Sequence, residues 1–243
     1  MAPCTPLLSI VIPAYQEEKR IGPTLDELGN YLANTPLGEV EIIVVSAGST
    51  DTTVTVAQQY EHRLTAKLKV LDLPGPPGKG AAVRAGMLAA KGQYVLYTDA
   101  DLAYAPELFG DFTRRLQSGA DIVIAQRSDT TRYAWLVRRW ITMASRFVFE
   151  RFVTPGIVDT QAGLKAFTQG AAKYVFSRQK IDGLIFDVEI LVLAQRKKYR
   201  IERAFVSWQD KSGSRIRLVR DSAKAAMDLV KMYWRLGAGH YDP

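Results

Sequence analysis

Short apolar runs alternate with segments of helical period through the first half of the chain, and this alternation restricts the possible folds most. The runs occupy residues 7–12, 40–45, 68–73, 94–98 and 122–125. Between them, residues 21–32 carry apolar side chains at Ile21, Leu25, Leu28 and Leu32, the spacing of one helix face. A second helix is expected from a cap at Ser49 or Thr50 to about Arg63, a third over 81–90 and a fourth over 106–117. Strands that read as continuous apolar runs, each followed by a helix, predict an α/β fold: a mostly parallel, Rossmann-like sheet with helices on both faces. Ligands of such sheets bind beyond the carboxyl ends of the strands. Four unusual segments follow strands directly: Pro13-Ala14-Tyr15, Ser46-Ala47-Gly48-Ser49, residues 75–80, and Asp99-Ala100-Asp101. Right-handed crossovers bring all four to one edge.

The second half is less regular. Helices are expected over 133–152, 187–196 and 219–236, with a strand over 201–206. The 243 residues, 47% of them hydrophobic, suffice for one sizeable core. The sole cysteine, Cys4, permits no intramolecular disulfide and suits a reducing compartment. No signal peptide is expected, nor a run of the roughly 18–20 apolar residues that spans a bilayer.

Asp99 and Asp101 place two carboxylates just past a buried strand, where they can share a hard cation such as Mg2+ or Mn2+. A helix cap and a turn would use the same residues, but their place at the ligand edge favours the metal. Residues 75–80 are rich in glycine and proline and open a helix bearing Arg84, with Lys79 adding charge near a helix N-terminus. This is no Walker A loop, because Leu73 stands where the first glycine belongs and Gly80 replaces the Ser/Thr. A nicotinamide-binding G-x-G-x-x-G is also missing after the first strand. Tyr15, at that strand's end, is placed either to stack on a base or simply to pack.

The order of these motifs resembles the family 2, GT-A fold glycosyltransferases. The resemblance rests on Ser9-Ile10-Val11-Ile12-Pro13-Ala14-Tyr15-Gln16-Glu17, Gly48-Ser49-Thr50-Asp51, Lys79-Gly80 with Arg84, and Asp99-Ala100-Asp101. Downstream, Asp159-Thr160-Gln161-Ala162-Gly163-Leu164-Lys165, Phe186-Asp187-Val188-Glu189, and Trp208 with Gly213-Ser214-Arg215 resemble the branch that glycosylates dolichyl or polyprenyl phosphate. Each motif alone is weak; the ordered set, from about Leu8 to Arg215, is specific. It implies a transferase domain over 1–215, with a nucleotide-sugar half to about 128 and an acceptor half from 129. An amphipathic, interfacial C-terminal helix and tail follow over 216–243.

The resemblance also implies roles. Pro13, Tyr15 and Glu17 line a nucleoside pocket, with Gly48, Ser49, Lys79 and Arg84 near the donor. Asp99, Ala100 and Asp101 hold the sugar diphosphate and its Mg2+ or Mn2+. Arg127, Arg138, Arg139 and Arg215 bind the acceptor phosphate, while Asp159, Gln161 and Asp187 shape the sugar and acceptor pocket. In one departure, the family carries two acidic residues before the glycine where this chain has Ser46-Ala47. Either backbone groups then recognise the base or the chain is impaired.

These roles describe an inverting hexosyltransferase with the lipid phosphate as nucleophile, and UDP-glucose is the implied donor. Three alternatives stay open: GDP-mannose as donor, a soluble or polysaccharide acceptor, or a catalytically weak scaffold. Lys and Arg exceed Asp and Glu by 32 to 25, a formal net charge of +7 that suits polyanions in general. Arginines among aromatics at Trp135, Trp140, Phe147, Phe149 and Phe152 suit an anionic membrane surface, although an aromatic stripe packed on the sheet would look the same. A position at the cytoplasmic face of a membrane is expected, with delivery of lipid by surface docking or a membrane partner subunit. No motif for nucleic acid is present, and with two histidines a His-based zinc site is not expected.

Overall fold

The computed structural model describes residues 5–75, 77–127, 157, 159–207 and 218–241, with side chains of 218–226 excepted. The expected helix over 133–152 therefore lies outside the described residues, as do Arg138, Arg139 and Arg215.

The first-half elements are β1 (Leu8–Ala14), α1 (Ile21–Asn34), β2 (Val40–Ser46), α2 (Thr53–Gln58), β3 (Lys67–Asp72), α3 (Lys79–Ala89), β4 (Tyr94–Tyr97), α4 (Glu107–Gln117) and β5 (Ile122–Arg127). After them come β6 (Lys165–Thr168), α5 (Gln169–Arg178), α6 (Phe186–Arg196), β7 (Ile201–Val206) and α7 (Leu218–Gly237). The described strands form one seven-stranded sheet in the order β3-β2-β1-β4-β6-β5-β7. Strands β1 to β4 are mutually parallel and β7 is parallel to β5, whereas β6 runs antiparallel to both its neighbours.

Both sheet faces are covered, which explains the unbroken apolar runs. Leu8, Ile10 and Ile12 of β1, with Ile42 and Val44 of β2, face a core shared with Leu25 and Leu28 of α1 and Phe109 and Phe112 of α4. Val11, Ile43 and Val45 face the other core, with Val83 and Met87 of α3, Phe176 of α5 and Phe186 of α6. Gly86 lets α3 lie close on the sheet, because a Cβ there would meet Val45 at 2.9 Å. Pro13 sits inside a central strand, which its missing N–H ordinarily forbids. Alternation explains the exception. Ala14 accepts a bond from Ala47 on the β2 side, and Val11 from Thr98 on the β4 side. Pro13 shares the parity of Val11, so its absent donor falls where the β1–β4 ladder, which ends at Val11 and Tyr97, has already stopped.

Two expectations need correction. The helix after β2 is one and a half turns long, not a run from Ser49 to Arg63, because Ser49 and Thr50 spend their hydroxyls on the neighbouring loop. Strand β6 and helix α5 were not anticipated, and β6 is what makes the sheet mixed.

Candidate active site

The carboxyl ends of β1 to β4 carry the four predicted segments to one edge, as parallel topology requires. The β1–α1 and β2–α2 loops are stitched together there. Gln16, in a left-handed conformation with φ 53°, donates its N–H to Ser49 Oγ at 3.0 Å. Glu17 N–H donates to Thr53 Oγ1 at 2.8 Å, and the Thr53 hydroxyl donates to Asp51 Oδ1 at 2.5 Å. Glu18 N–H reaches Asp51 Oδ2, and Thr52 answers by donating to Glu18 Oε2 at 2.9 Å. Burial works to raise the Asp51 carboxyl, but the bonds from Thr53 and Glu18 prevail and hold it below its ordinary value. Gly48 takes the positive φ of 71° that turns the loop. The Gly48-Ser49-Thr50-Asp51 motif thus braces the loop that presents Tyr15, which is exposed, and Glu17, whose carbonyl accepts the N–H groups of Arg20 and Ile21 at the start of α1. Ser46 is buried and accepts the Ser49 N–H at 3.2 Å, so it too serves the turn.

The carboxylate pair follows β4. Ala100 points inward, its carbonyl accepting the Thr24 hydroxyl at 2.5 Å. This pins the loop and leaves the acids on either side of it. Asp101 Oδ1 accepts the Ala103 N–H at 3.1 Å, a turn within the loop and not a cap on α4, which begins at Glu107. Asp99 Oδ1 meets Lys79 Nζ at 2.5 Å. Its other oxygen lies against Gly163, where a Cβ would collide with it. Burial disfavours the Lys79 charge, but Asp99, Asp187 and Asp101 outweigh it and raise its pKa.

Beneath this pair is a buried polar node. Lys165, fully buried in β6, pairs with Asp187 and donates to the Ala162 carbonyl at 2.7 Å. Tyr97 donates to the same Asp187 oxygen at 2.5 Å. Burial, reinforced by Asp187, pushes the Tyr97 hydroxyl far up, and burial pushes the Lys165 ammonium down against the pull of Asp187. To one side of this node, Arg127 grips Asp159 with two parallel bonds of 2.6 and 2.9 Å. Gln161 is exposed between Asp159 and Ala162.

The glycines around Lys79 let another stretch of the chain's own backbone come close. A Cβ at Gly78 would strike the Asp182 carbonyl, and one at Gly80 would lie 2.7 Å from the Ile181 carbonyl oxygen. Gly80 and Ala81 also donate their N–H groups to Asp182 O, so two donors of the helix N-terminus are taken by the chain itself. Arg84 pairs with Asp182 at 2.8 Å and reaches the Gln179 carbonyl. It clamps the same segment.

The structure therefore brings together Pro13, Tyr15, Glu17, Gly48, Ser49, Lys79, Asp99, Ala100 and Asp101 at one strand edge, with Asp187 linked from below and Asp159 from the side. Tyr97 was not singled out in the sequence, and Gly163 and Lys165 entered only as members of the 159–165 motif, with no role of their own. A lysine inside the apolar stretch Leu164-Lys165-Ala166-Phe167 was the available signal. Among the described residues no three acidic, histidine or cysteine side chains cluster as a metal site. Two carboxylates still fit a divalent cation that brings phosphate oxygens of its own, the usual manner of Mg2+.

The sequence pattern described as glycosyl transferase family 2 matches residues 9–176. The dolichyl-phosphate β-glucosyltransferase of Drosophila melanogaster is 35% identical over 247 residues, covering 96% of this chain and 76% of the relative. The Saccharomyces cerevisiae protein of the same name is 32% identical, covering 95% and 75%. In fold, the chain is similar to glucosyl-3-phosphoglycerate synthase from Mycobacterium tuberculosis, solved with Mn2+, UDP and glucosyl-3-phosphoglycerate. The TM-score is 0.70, with 21% identity and coverage of 93% of this chain and 80% of that one.

Proposed function

The chain belongs to glycosyl transferase family 2 and is a glycosyltransferase of GT-A fold, and from that premise we propose that it moves glucose from UDP-glucose onto dolichyl phosphate. The observation that carries the reading is the pair Asp99 and Asp101 at the edge where the four loops meet, in a chain whose relatives are named dolichyl-phosphate β-glucosyltransferases. Tyr15 offers an exposed ring to the base, beside Pro13 and Glu17. Backbone groups of the 46–49 turn stand in for the acidic pair that the chain lacks.

Asp99 and Asp101 would hold a Mg2+ or Mn2+ ion, which would supply the positive charge that neutralises a departing diphosphate. Lys79 adds a fixed positive charge beside it. Arg127, oriented by Asp159, serves the acceptor phosphate, the role that the sequence resemblance also implies for Arg138, Arg139 and Arg215. That phosphate carries about −1.5 to −2 charges at pH 7, by analogy with phosphorylated side chains, so it needs alignment more than a base. Its oxygen attacks the anomeric carbon, the bond to UDP breaks, and the electron pair leaves with UDP. One displacement inverts an α-linked donor to a β-linked product.

Described residues include no helix long and apolar enough to cross a membrane. Helix α7 instead exposes Met227, Val230 and Trp234 along one stripe, with Lys231 beside them. This supports peripheral docking on an anionic surface. The test offers radiolabelled UDP-glucose or GDP-mannose to the chain with dolichyl phosphate or phosphoglyceric acid in detergent. Label from UDP-glucose in the lipid phase alone is expected. Label only in the soluble acceptor overturns the lipid assignment, and transfer from GDP-mannose overturns the sugar.

A further inference from the structure

The segment 179–183, between α5 and α6, lies under the start of α3. Besides the bonds from Gly80 and Ala81 to Asp182 O, the Gln179 side-chain amide donates to Gly80 O at 2.9 Å and to Ile181 O at 2.7 Å. With no room for a Cβ at Gly78 or Gly80, the two backbones touch directly, and Lys79 projects from between them to Asp99. The segment has its own support behind it. Glu189 of α6, 1% exposed, accepts N–H groups from Lys180 at 3.1 Å and Ile181 at 2.9 Å. Its Oε1 also accepts the hydroxyl of Tyr241, a residue 3% exposed just beyond α7. Helix α7 is seated for this by Met232, which is fully buried in the core that α3 and α6 share.

We propose that Tyr241 is a positioning residue for the donor site: through Glu189 and segment 179–183, its hydroxyl sets the height at which Gly78-Lys79-Gly80 presents Lys79 to Asp99. The inference rests on the proposed function only in treating Lys79 and Asp99 as donor-binding groups. Its physical basis is the low tolerance of a buried carboxylate for a missing donor. Without the hydroxyl, Glu189 shifts or admits water, and the N–H groups of 180 and 181 lose their fixed acceptor. Because the contact between 181–182 and 78–80 has no side chain to cushion it, displacement of one backbone is passed to the other. The same helix carries the exposed Val230 and Trp234 stripe on its outer side, so the element that meets a surface is bolted to the floor of the donor site.

Backbone amide exchange on the full chain without substrate tests this, comparing wild type, Tyr241→Phe and, as the control, Tyr233→Phe at an exposed tyrosine of α7. Tyr241→Phe is expected to speed exchange about tenfold in peptides covering 78–84 and 179–183, the factor that a lost hydrogen bond of ordinary strength gives. The sheet strands should keep their protection. UDP binding with Mn2+, measured by calorimetry, should weaken by a similar factor, and Tyr233→Phe should alter neither. Faster exchange confined to the end of α7, or spread evenly over every peptide, would overturn the proposal, since Tyr241 would then pin only the tail or only stabilise the whole. If wild type fails to bind UDP at all, the donor reading falls, while the exchange pattern still decides the role of Tyr241.

Discussion

Asp99 is confined on both sides, by the Lys79 ammonium on one oxygen and by the bare backbone of Gly163 at the other. Gly163→Ala puts a methyl group where the carboxylate now sits. Displacing a reacting-site group by about 1 Å costs on the order of a hundredfold in rate, so sugar transfer should fall about that much while the circular dichroism spectrum is unchanged. Lys165 poses a different problem, because its partner Asp187 is equally buried. Lys165→Met leaves a buried carboxylate uncompensated and should cost about 3–5 kcal/mol in urea unfolding, whereas the double variant Lys165→Met/Asp187→Leu should recover much of it. Sequence alone pointed to Asp99 and Asp101 because they stand at the ligand edge of the sheet, although a cap and a turn could use the same residues. It did not point to Gly163 or Tyr97, whose parts depend on β6 arriving antiparallel beside β4, a pairing with no local signature.

Between elements, the first two loops behave as one body. Thr53 is fully buried and joins them, accepting from Glu17 and donating to Asp51. Thr53→Val strands the Glu17 N–H and removes one of the donors to Asp51, and should cost about 1–3 kcal/mol by urea unfolding. It should also shift acid unfolding. Asp51 is held below its ordinary value, so its contribution is present above that value and lost as pH falls through the depressed folded one. Without the Thr53 hydroxyl bond that contribution shrinks, and the less stable fold reaches its acid midpoint at a higher pH. Strands β1 to β5 and most helices were legible because a sheet buried on both faces leaves continuous apolar runs. Helix α2 was misjudged in length because Ser49 and Thr50, good caps by type, are used between loops. Strand β6 escaped because its Lys165 breaks the apolar pattern for a buried, paired reason that only tertiary structure supplies.

For the whole molecule, several buried tyrosines act in concert. Burial, with help from Asp187 at Tyr97 and Glu189 at Tyr241, raises the hydroxyls of Tyr97, Tyr104 and Tyr241 above the ordinary 10.0. A raised folded pKa contributes stability that is fully present below the unfolded value and is lost as pH climbs toward the folded one. The unfolding temperature should therefore hold steady to about pH 9 and drop steeply beyond about pH 10. Tyr97→Phe should blunt the drop, as thermal scans across that range would record.

The proposed function has the Asp99 and Asp101 edge hold a nucleotide-sugar diphosphate through a divalent cation for delivery to a lipid phosphate. Its most direct test is glucose transfer from UDP-glucose to dolichyl phosphate by the chelator-stripped chain, with and without added Mn2+ or Mg2+, beside Asp101→Ala. Transfer restored by metal in the wild type and lost from a folded Asp101→Ala is the predicted result. Equal transfer before and after metal addition, or full activity in Asp101→Ala, would contradict it.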